Sequence, residues 1–322
     1  MLVDEEVGAR SASGRFVVDA GSMEAHVLHA LRGRYAGVAV VPFDAAIVPT
    51  IEELRRLAPR LVFNLTEWIG GDRRLDAAIA GVLEMLKLPY TGAGPEGLQL
   101  ARDKALAKSV VAELGIETAP HRLVNGHAPA LPRLDFPIIV KPQFGDASDG
   151  IANAALVRTP AQLRRRVGAI RRRLSDTLMC EAFVPGRDLF VALLGNEPRV
   201  MPPLELVVSR SGAGAPRFAT FKVKNDPEYR KRWGVRYRVA RLDDGVRARI
   251  DDASRRIFRA LKLRDYARID YRLTPDDRLV FLEANPNPDL TRHTFGRDVC
   301  FAGVPYPEVI ASIARAALAR AS

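Results

Sequence analysis

The residues best suited to chemistry lie on two strand-like runs, Tyr266 to Leu273 and Leu279 to Asn285. They flank Thr274-Pro275-Asp276-Asp277-Arg278, a polar connection of the kind that closes a β-hairpin. Strand alternation puts Arg268 and Asp270 on one face of the first run, and Glu283 and Asn285 on one face of the second. Two carboxylates and a side-chain carbonyl form an all-oxygen donor set, which Mg²⁺ accepts when substrate phosphates complete its coordination. Arg268 would add a fixed cationic fork beside it. The same alternation also suits the solvent-facing side of an ordinary antiparallel hairpin. The apolar opposite face and the constrained polar loop Asn285-Pro286-Asn287-Pro288-Asp289 weigh toward a site.

Two lysines could meet phosphate. Lys141 ends the apolar run Phe136-Pro137-Ile138-Ile139-Val140 just before Pro142, an unusual place for an ammonium group. The polar loop that follows holds Gly145, Ser148 and Gly150, whose backbone N–H groups could approach a phosphate. Lys104 follows Arg102-Asp103 at a helix-like start. A plain surface position is the ordinary alternative for either lysine.

The elements that must position these groups read as a mixed α/β chain. From 16 to 92, strands at Phe16-Val17-Val18, Val38 to Val41 and Leu61 to Phe63 alternate with helices, a pattern that predicts βαβ units and a parallel sheet. A helix over 74–88 puts Leu75, Ile79, Val82, Leu83 and Leu86 on one face, and another runs from Pro95 through Val110 to a cap at Gly115. Thr159-Pro160 caps a helix with Leu163, Val167, Ile170 and Leu174 at helical spacing. Strands follow at Leu178 to Val184, Leu189 to Leu194 and Leu204 to Val208, then a helix around Val246 to Leu261, the hairpin, and a final helix from about Tyr306. The basic segment from Phe218 to Arg238 matches no simple pattern.

Composition narrows the function classes. With 322 residues, two or three lobes around a shared cleft are expected. No apolar run reaches the roughly 18–20 residues that span a bilayer, and the first residues, MLVDEEVGAR, lack a basic, then apolar, leader pattern, so a cytoplasmic location is expected. Cys180 and Cys300 lack metal-type spacing and read as buried thiols. The formal charge of +11 raises the question of nucleic acid. Its densest arginine runs, Arg164 to Arg166 and Arg171 to Arg173, carry no interleaved aromatics and read as a solvated helix face.

Across nearly all of 59–313 the chain resembles the D-alanine–D-alanine ligase branch of the ATP-grasp superfamily. The motifs arrive in family order: Val62-Phe63-Asn64-Leu65, Pro89-Tyr90-Thr91-Gly92, Asp103-Lys104, Ile139-Val140-Lys141-Pro142, Cys180-Glu181-Ala182-Phe183-Val184 with Gly186, Tyr266-Ala267-Arg268-Ile269-Asp270 and Leu282-Glu283-Ala284-Asn285. The resemblance implies an α/β ATP-grasp fold of three lobes, 1–93, 94–185 and 186–322, with ATP between the last two. It implies Lys104, Lys141 and the loop of Gly145, Ser148 and Gly150 on the phosphates, Glu181 with Ala182, Phe183 and Val184 at the adenine edge, and Asp188 on the ribose. Lys224 matches a lysine of a mobile loop closing over the γ-phosphate; Asp270, Glu283 and Asn285 match ligands of two Mg²⁺ ions, with Mn²⁺ as an alternative. Arg268 matches the arginine that stabilises a tetrahedral intermediate, and Thr294 stands at a carboxylate-binding serine position.

The implied activity is a carboxylate–amine ligation through an acyl phosphate, on small amino-acid-like or peptide-like substrates. No nucleic acid or membrane partner is expected, and a homodimer is the family expectation. The sequence departs from the family at the donor end. The family's N-terminal glutamate, which anchors the first D-alanine, has no evident counterpart in 1–25, and its partner serine and tyrosine are Ala147 and Asn225 here. Glu67 and Asp72 are candidate replacement contacts, with two ordinary surface acids as the equal alternative, and Asp289 stands where a glycine is usual. A donor other than D-alanine is therefore expected. The alternatives are a genuine cell-wall D-alanine–D-alanine ligase and a non-catalytic ATP-binding descendant.

Overall fold

The computed structural model describes residues 1–43, 46–69, 72, 75–124, 133–144, 155–171, 177–212, 214–216, 218–291, 295–300 and 302–321. The expected Gly145, Ser148, Gly150 and Thr294 fall outside these residues, as does Ala147. Among the described residues no helix is long and apolar enough to cross a membrane.

The N-terminal part does build a parallel sheet, but from a different first strand. Leu2–Asp4 pairs in parallel with Val41–Phe43. On its other side the Leu2 N–H donates to the Phe63 carbonyl, and Val62 in turn bridges to Tyr90. Helices Met23–Arg32, Ile47–Leu57 and Asp76–Met85 accompany this sheet. Phe16–Val18 instead pairs antiparallel with Gly8–Arg10. Gly14, at φ 77°, lets the intervening turn close by donating its N–H to the Ser11 carbonyl. Of the expected strand at 38–41 only Val41 joins the ladder, donating its N–H to the Met1 carbonyl, while the Ala39 carbonyl accepts from the Met1 amino group.

The single helix expected from Pro95 to Gly115 is two, Pro95–Arg102 and Lys104–Glu113. Asp103 breaks it. Its backbone leaves the helical region, and its side chain accepts from the Ala105 and Leu106 N–H groups as the cap of the second helix.

Two antiparallel sheets follow. A four-stranded sheet runs His121–Val124, Leu178–Ala182, Ile138–Pro142, Leu156–Val157, with the helix Pro160–Arg171 burying Leu163, Val167 and Ile170 against it. Arg164 and Arg165 face solvent, as the amphipathic spacing requires. A six-stranded sheet is ordered Val235–Val239, Leu204–Val208, Arg187–Leu194, Tyr266–Leu273, Leu279–Asn285, with Arg199–Val200 paired to Arg187–Leu194. Its apolar face carries Ile269, Tyr271 and Phe281, covered by Val111 from Lys104–Glu113 and by Ile250 and Ile257 from the helix Asp244–Ala260. The basic segment that resisted assignment folds as two short helices, Phe221–Asn225 and Pro227–Trp233, leading into Val235–Val239. The last helix, Tyr306–Ala321, packs with Met23–Arg32 in the core of the N-terminal part.

Candidate active site

The hairpin register brings the four polar groups together: Arg268 stands opposite Asn285, and Asp270 opposite Glu283. A bulge after Asp270 then shifts the pairing, so Tyr271 meets Phe281 and both rings stay in the core. Arg268 grips Asp270 with two hydrogen bonds, 2.7 Å from Nε and 3.0 Å from Nη2. Burial pushes the Asp270 carboxyl up, Arg268 and Lys224 pull it down, and Glu283 pushes it up again; the net shift is upward. Two acids so close hold their charges at a cost that a cation would relieve.

Alternation continues to Arg272, on the same face as Arg268 and Asp270, and the sequence reading passed over it. Arg272 lies opposite Asp188 on the neighbouring strand and pairs with it at 2.9 Å. It also donates to the Gly186 carbonyl and sits 5.5 Å over the Phe183 ring. The carboxylate expected at a ribose is thus held by a buried guanidinium.

The four-stranded sheet supplies the opposite wall. Glu181 is buried between two lysines: Lys141 Nζ lies 2.6 Å from Oε2 and Lys108 Nζ 2.7 Å from Oε1. Burial by itself would raise the Glu181 carboxyl, but the two ammonium groups outweigh it and hold it at about 2. Lys108 was also missed in the sequence. Its signal was there, because Lys104, Ala107, Lys108 and Val111 share the buried stripe of one helix, where a second lysine is out of place. Lys104 is buried at the start of that helix and donates its backbone N–H to the Gln143 carbonyl. The Gln143 amide returns to the Asp103 carboxylate at 2.9 Å. The helix start is thereby tied to the end of the Lys141 strand.

Between the two sheets lies a cleft lined by Lys141, Glu181, Ala182, Phe183, Val184, Asp188, Lys224, Asp270, Arg272 and Glu283. Apolar side chains of Ile139, Leu189, Phe190, Phe218 and Leu282 share the lining, so one part of the slot is apolar and the other is charged. Lys224 sits on the short helix capped by Thr220, whose hydroxyl accepts from the Val223 N–H.

Glu67 does not line this cleft. Its backbone N–H donates to the Asp4 carboxylate, as does that of Trp68. Burial, followed by the charges of Glu67, Asp265 and Asp289, pushes the Tyr266 phenol upward, so these acids gather around the start of the strand that carries Arg268. Glu24 is buried in the first turn of Met23–Arg32, and the Leu290 N–H approaches the Met23 sulfur at 3.1 Å. The loop after Asn285 is anchored from the N-terminal part, where the Ala93 N–H donates to Asn287 Oδ1. At Gly92, with φ 94°, a Cβ would stand 2.5 Å from that same oxygen. Glycine is required there.

The family model for the D-ala D-ala ligase C-terminus matches residues 113–315. A D-alanine–D-alanine ligase of Gluconobacter oxydans is 32% identical over 89% of this chain and 91% of its own length. The chain belongs to the D-alanine–D-alanine ligase family. It is accordingly an ATP-dependent ligase that forms C–N bonds. An uncharacterized protein of Sinorhizobium fredii, y4sG, is 31% identical over 78% of this chain and 74% of its own. The fold likeness extends to the D-alanine–D-alanine ligase of Bacillus anthracis solved with ATP, at a TM-score of 0.72 and 18% identity over 99% of this chain and 97% of that one. The ATP-grasp fold expected from the motifs is therefore the fold of the family.

Proposed function

We propose that the chain activates a small carboxylic acid with Mg-ATP as an acyl phosphate and joins it to an amine, in the cytoplasm. The observation that carries this reading is the facing of Asp270, Glu283 and Asn285 across a fixed strand register, beside a cleft holding Lys141 and Lys224. The nucleotide is assigned to that cleft, with its base against Phe183 and the Glu181–Val184 edge, its ribose toward Asp188 and its phosphates toward Lys104, Lys141 and Lys224. In lobe terms this is the junction of 94–185 and 186–322, although the helices of 95–113 pack on the sheet of the last lobe.

The donor set fits Mg²⁺ in kind, being all oxygen, but two carboxylates and an amide leave positions that phosphate oxygens must fill. When bound, the ion neutralises phosphoryl charge during transfer. A donor carboxylate oxygen attacks the γ-phosphorus and ADP leaves; Lys141 and Lys224 hold the phosphoryl oxygens. The amine then attacks the carbonyl carbon, phosphate leaves, and the nitrogen loses its proton. Arg268 is aimed by Asp270 and serves the oxyanion formed in that second step.

A buried glutamate, Glu24, stands in the first turn of Met23–Arg32. Glu24 follows the first parallel strand only after the Gly8–Val18 hairpin segment, which hides it from a search for a single strand-to-helix turn. We assign it to the donor end with Glu67, and assign the acceptor carboxylate to Arg268 and Thr294. Ala147 and Asn225 still lack the hydroxyls the family uses there, so a donor other than D-alanine remains the favoured reading; cell-wall dipeptide synthesis is the alternative. A homodimer is likewise assigned from the family. The test is a panel of amino acids and small peptides screened for ATP-dependent phosphate release, with products read by mass spectrometry. Stimulation by one carboxylate–amine pair supports the ligase. ATP binding without release from any pair would favour the non-catalytic descendant.

A further inference from the structure

Lys108 is a buried ammonium that lies outside the cleft lining, behind Glu181. Its side chain has 0% exposure, and it holds three partners at once: Glu181 Oε1 at 2.7 Å, the Phe281 carbonyl at 3.1 Å, and the Phe281 ring, whose centroid is 5.6 Å away. Lys141, on the cleft side, takes the other oxygen of the same carboxylate at 2.6 Å. One buried acid therefore serves two lysines, and only one of them faces the space where phosphates are assigned.

Moving Lys141 from Glu181 toward a phosphate would strip a buried carboxylate of a partner, and a buried charge left alone is opposed by its desolvation. Lys108 removes that obstacle, because it cannot follow Lys141 into the cleft. We propose that Lys108 is a positioning residue, a fixed counter-charge that keeps Glu181 satisfied while Lys141 is handed from Glu181 to the nucleotide phosphates. This rests on the assignment of ATP to the cleft. It makes the affinity for phosphate-bearing ligands depend on a residue that touches none of them, and leaves the affinity for the base and sugar alone independent of it. Without Lys108, the carboxylate retains Lys141, and the phosphates lose a cation.

The experiment is calorimetric titration of the full chain with Mg-ATP and, separately, with adenosine, for the wild type, Lys108→Met, Glu181→Gln and the double variant. Wild-type binding of ATP tests the cleft assignment by itself. Given that binding, Lys108→Met is expected to weaken ATP tenfold or more while adenosine changes less than about twofold. In the Glu181→Gln background no buried carboxylate remains to retain Lys141, so adding Lys108→Met should leave ATP affinity within about twofold. Equal losses for ATP and adenosine would make Lys108 a packing residue and overturn the proposal. So would a tenfold ATP loss in the Glu181→Gln background, which also decides the matter if Lys108→Met alone does not fold.

Discussion

The two ends of the site are built from opposite charges on different kinds of backbone. At the end assigned to the nucleotide, Lys104, Lys108, Lys141, Lys224, Arg268 and Arg272 surround buried acids; Lys141, Arg268, Arg272 and the acids Glu181, Asp188, Asp270 and Glu283 sit on strands whose register fixes what faces what. At the end assigned to the donor, Asp4 lies near Glu24 and accepts from the Glu67 N–H, while Glu67 and Asp289 stand near Tyr266, on strand ends, a helix start and loops. A ladder of backbone hydrogen bonds tolerates little variation, whereas connections between elements tolerate much more. In the proposed assignment, phosphoryl transfer falls where geometry is rigid, and the choice of substrate where it can be changed.

The sharpest break between the ends should appear on removing metal charge. Asp270→Asn or Glu283→Gln is expected to lower turnover by about three orders of magnitude, an effect of roughly 4 kcal/mol. Circular dichroism should show the fold retained. Turnover near wild type in both variants at matched magnesium would remove the metal assignment and, with it, the rigid end's claim to the chemistry.

Lys224 tests a residue assigned to the nucleotide that lies outside the strand ladders, on the short helix Phe221–Asn225. Lys224→Ala should reduce the saturating rate about a hundredfold, comparable to losing one preorganised donor, while ATP affinity without the other substrates changes less. Calorimetry and steady-state rates separate these. An affinity loss with the saturating rate unchanged would make it an ordinary phosphate contact.

The donor end predicts discrimination against D-alanine. In the proposed assignment, Ala147 and Asn225 leave the anchor of a substrate ammonium without two hydroxyls, and Glu24 offers one acid in return. We expect D-alanine to lag the true donor roughly a hundredfold, about 3 kcal/mol. Mass spectrometry after incubation with Mg-ATP and D-alanine alone reads it. Efficient D-alanyl-D-alanine formation, above about 10⁴ M⁻¹s⁻¹, would restore the cell-wall reading.

The same contrast explains what could be read from sequence. The hairpin Tyr266–Leu273 and Leu279–Asn285 was legible to the residue, because period-2 alternation flanks an unambiguous turn. Arg272 needed only the alternation carried one step further. Lys108 was legible as a lysine on an apolar helical stripe, although its partner lies 73 positions away, at Glu181, on another element. Leu2–Asp4 was not legible: three residues show no period, and the acids that follow read as a loop. Glu24 was hidden because the hairpin of Gly8–Arg10 and Phe16–Val18 separates its helix from the strand Leu2–Asp4.

The smallest effect expected is also the one peculiar to the donor end. Burial pushes the Asp4 carboxyl up; the Glu67 and Trp68 N–H groups pull it down, Glu6 and Glu24 push it up, and it settles at about 6. Glu181, held at about 2, shifts the other way. Because folded Asp4 binds its proton more tightly than an unfolded aspartate near 3.9, its contribution favours the fold below about pH 4 and is lost as pH rises through about 6. Glu181 contributes above its unfolded value near 4.3 and loses that contribution only as pH falls toward 2. Between pH 4 and pH 7 the two ends are therefore distinguishable. Asp4→Asn keeps an acceptor for the Glu67–Trp68 backbone but cannot titrate. Relative to wild type, its unfolding free energy should improve by about 1–2 kcal/mol from pH 4 to pH 7, after allowance for partial screening. Urea melts at the two pH values measure it. A difference that stays flat across that window would mean Asp4 is an ordinary ionised cap, and the donor-end loop would then be held as rigidly as the nucleotide end.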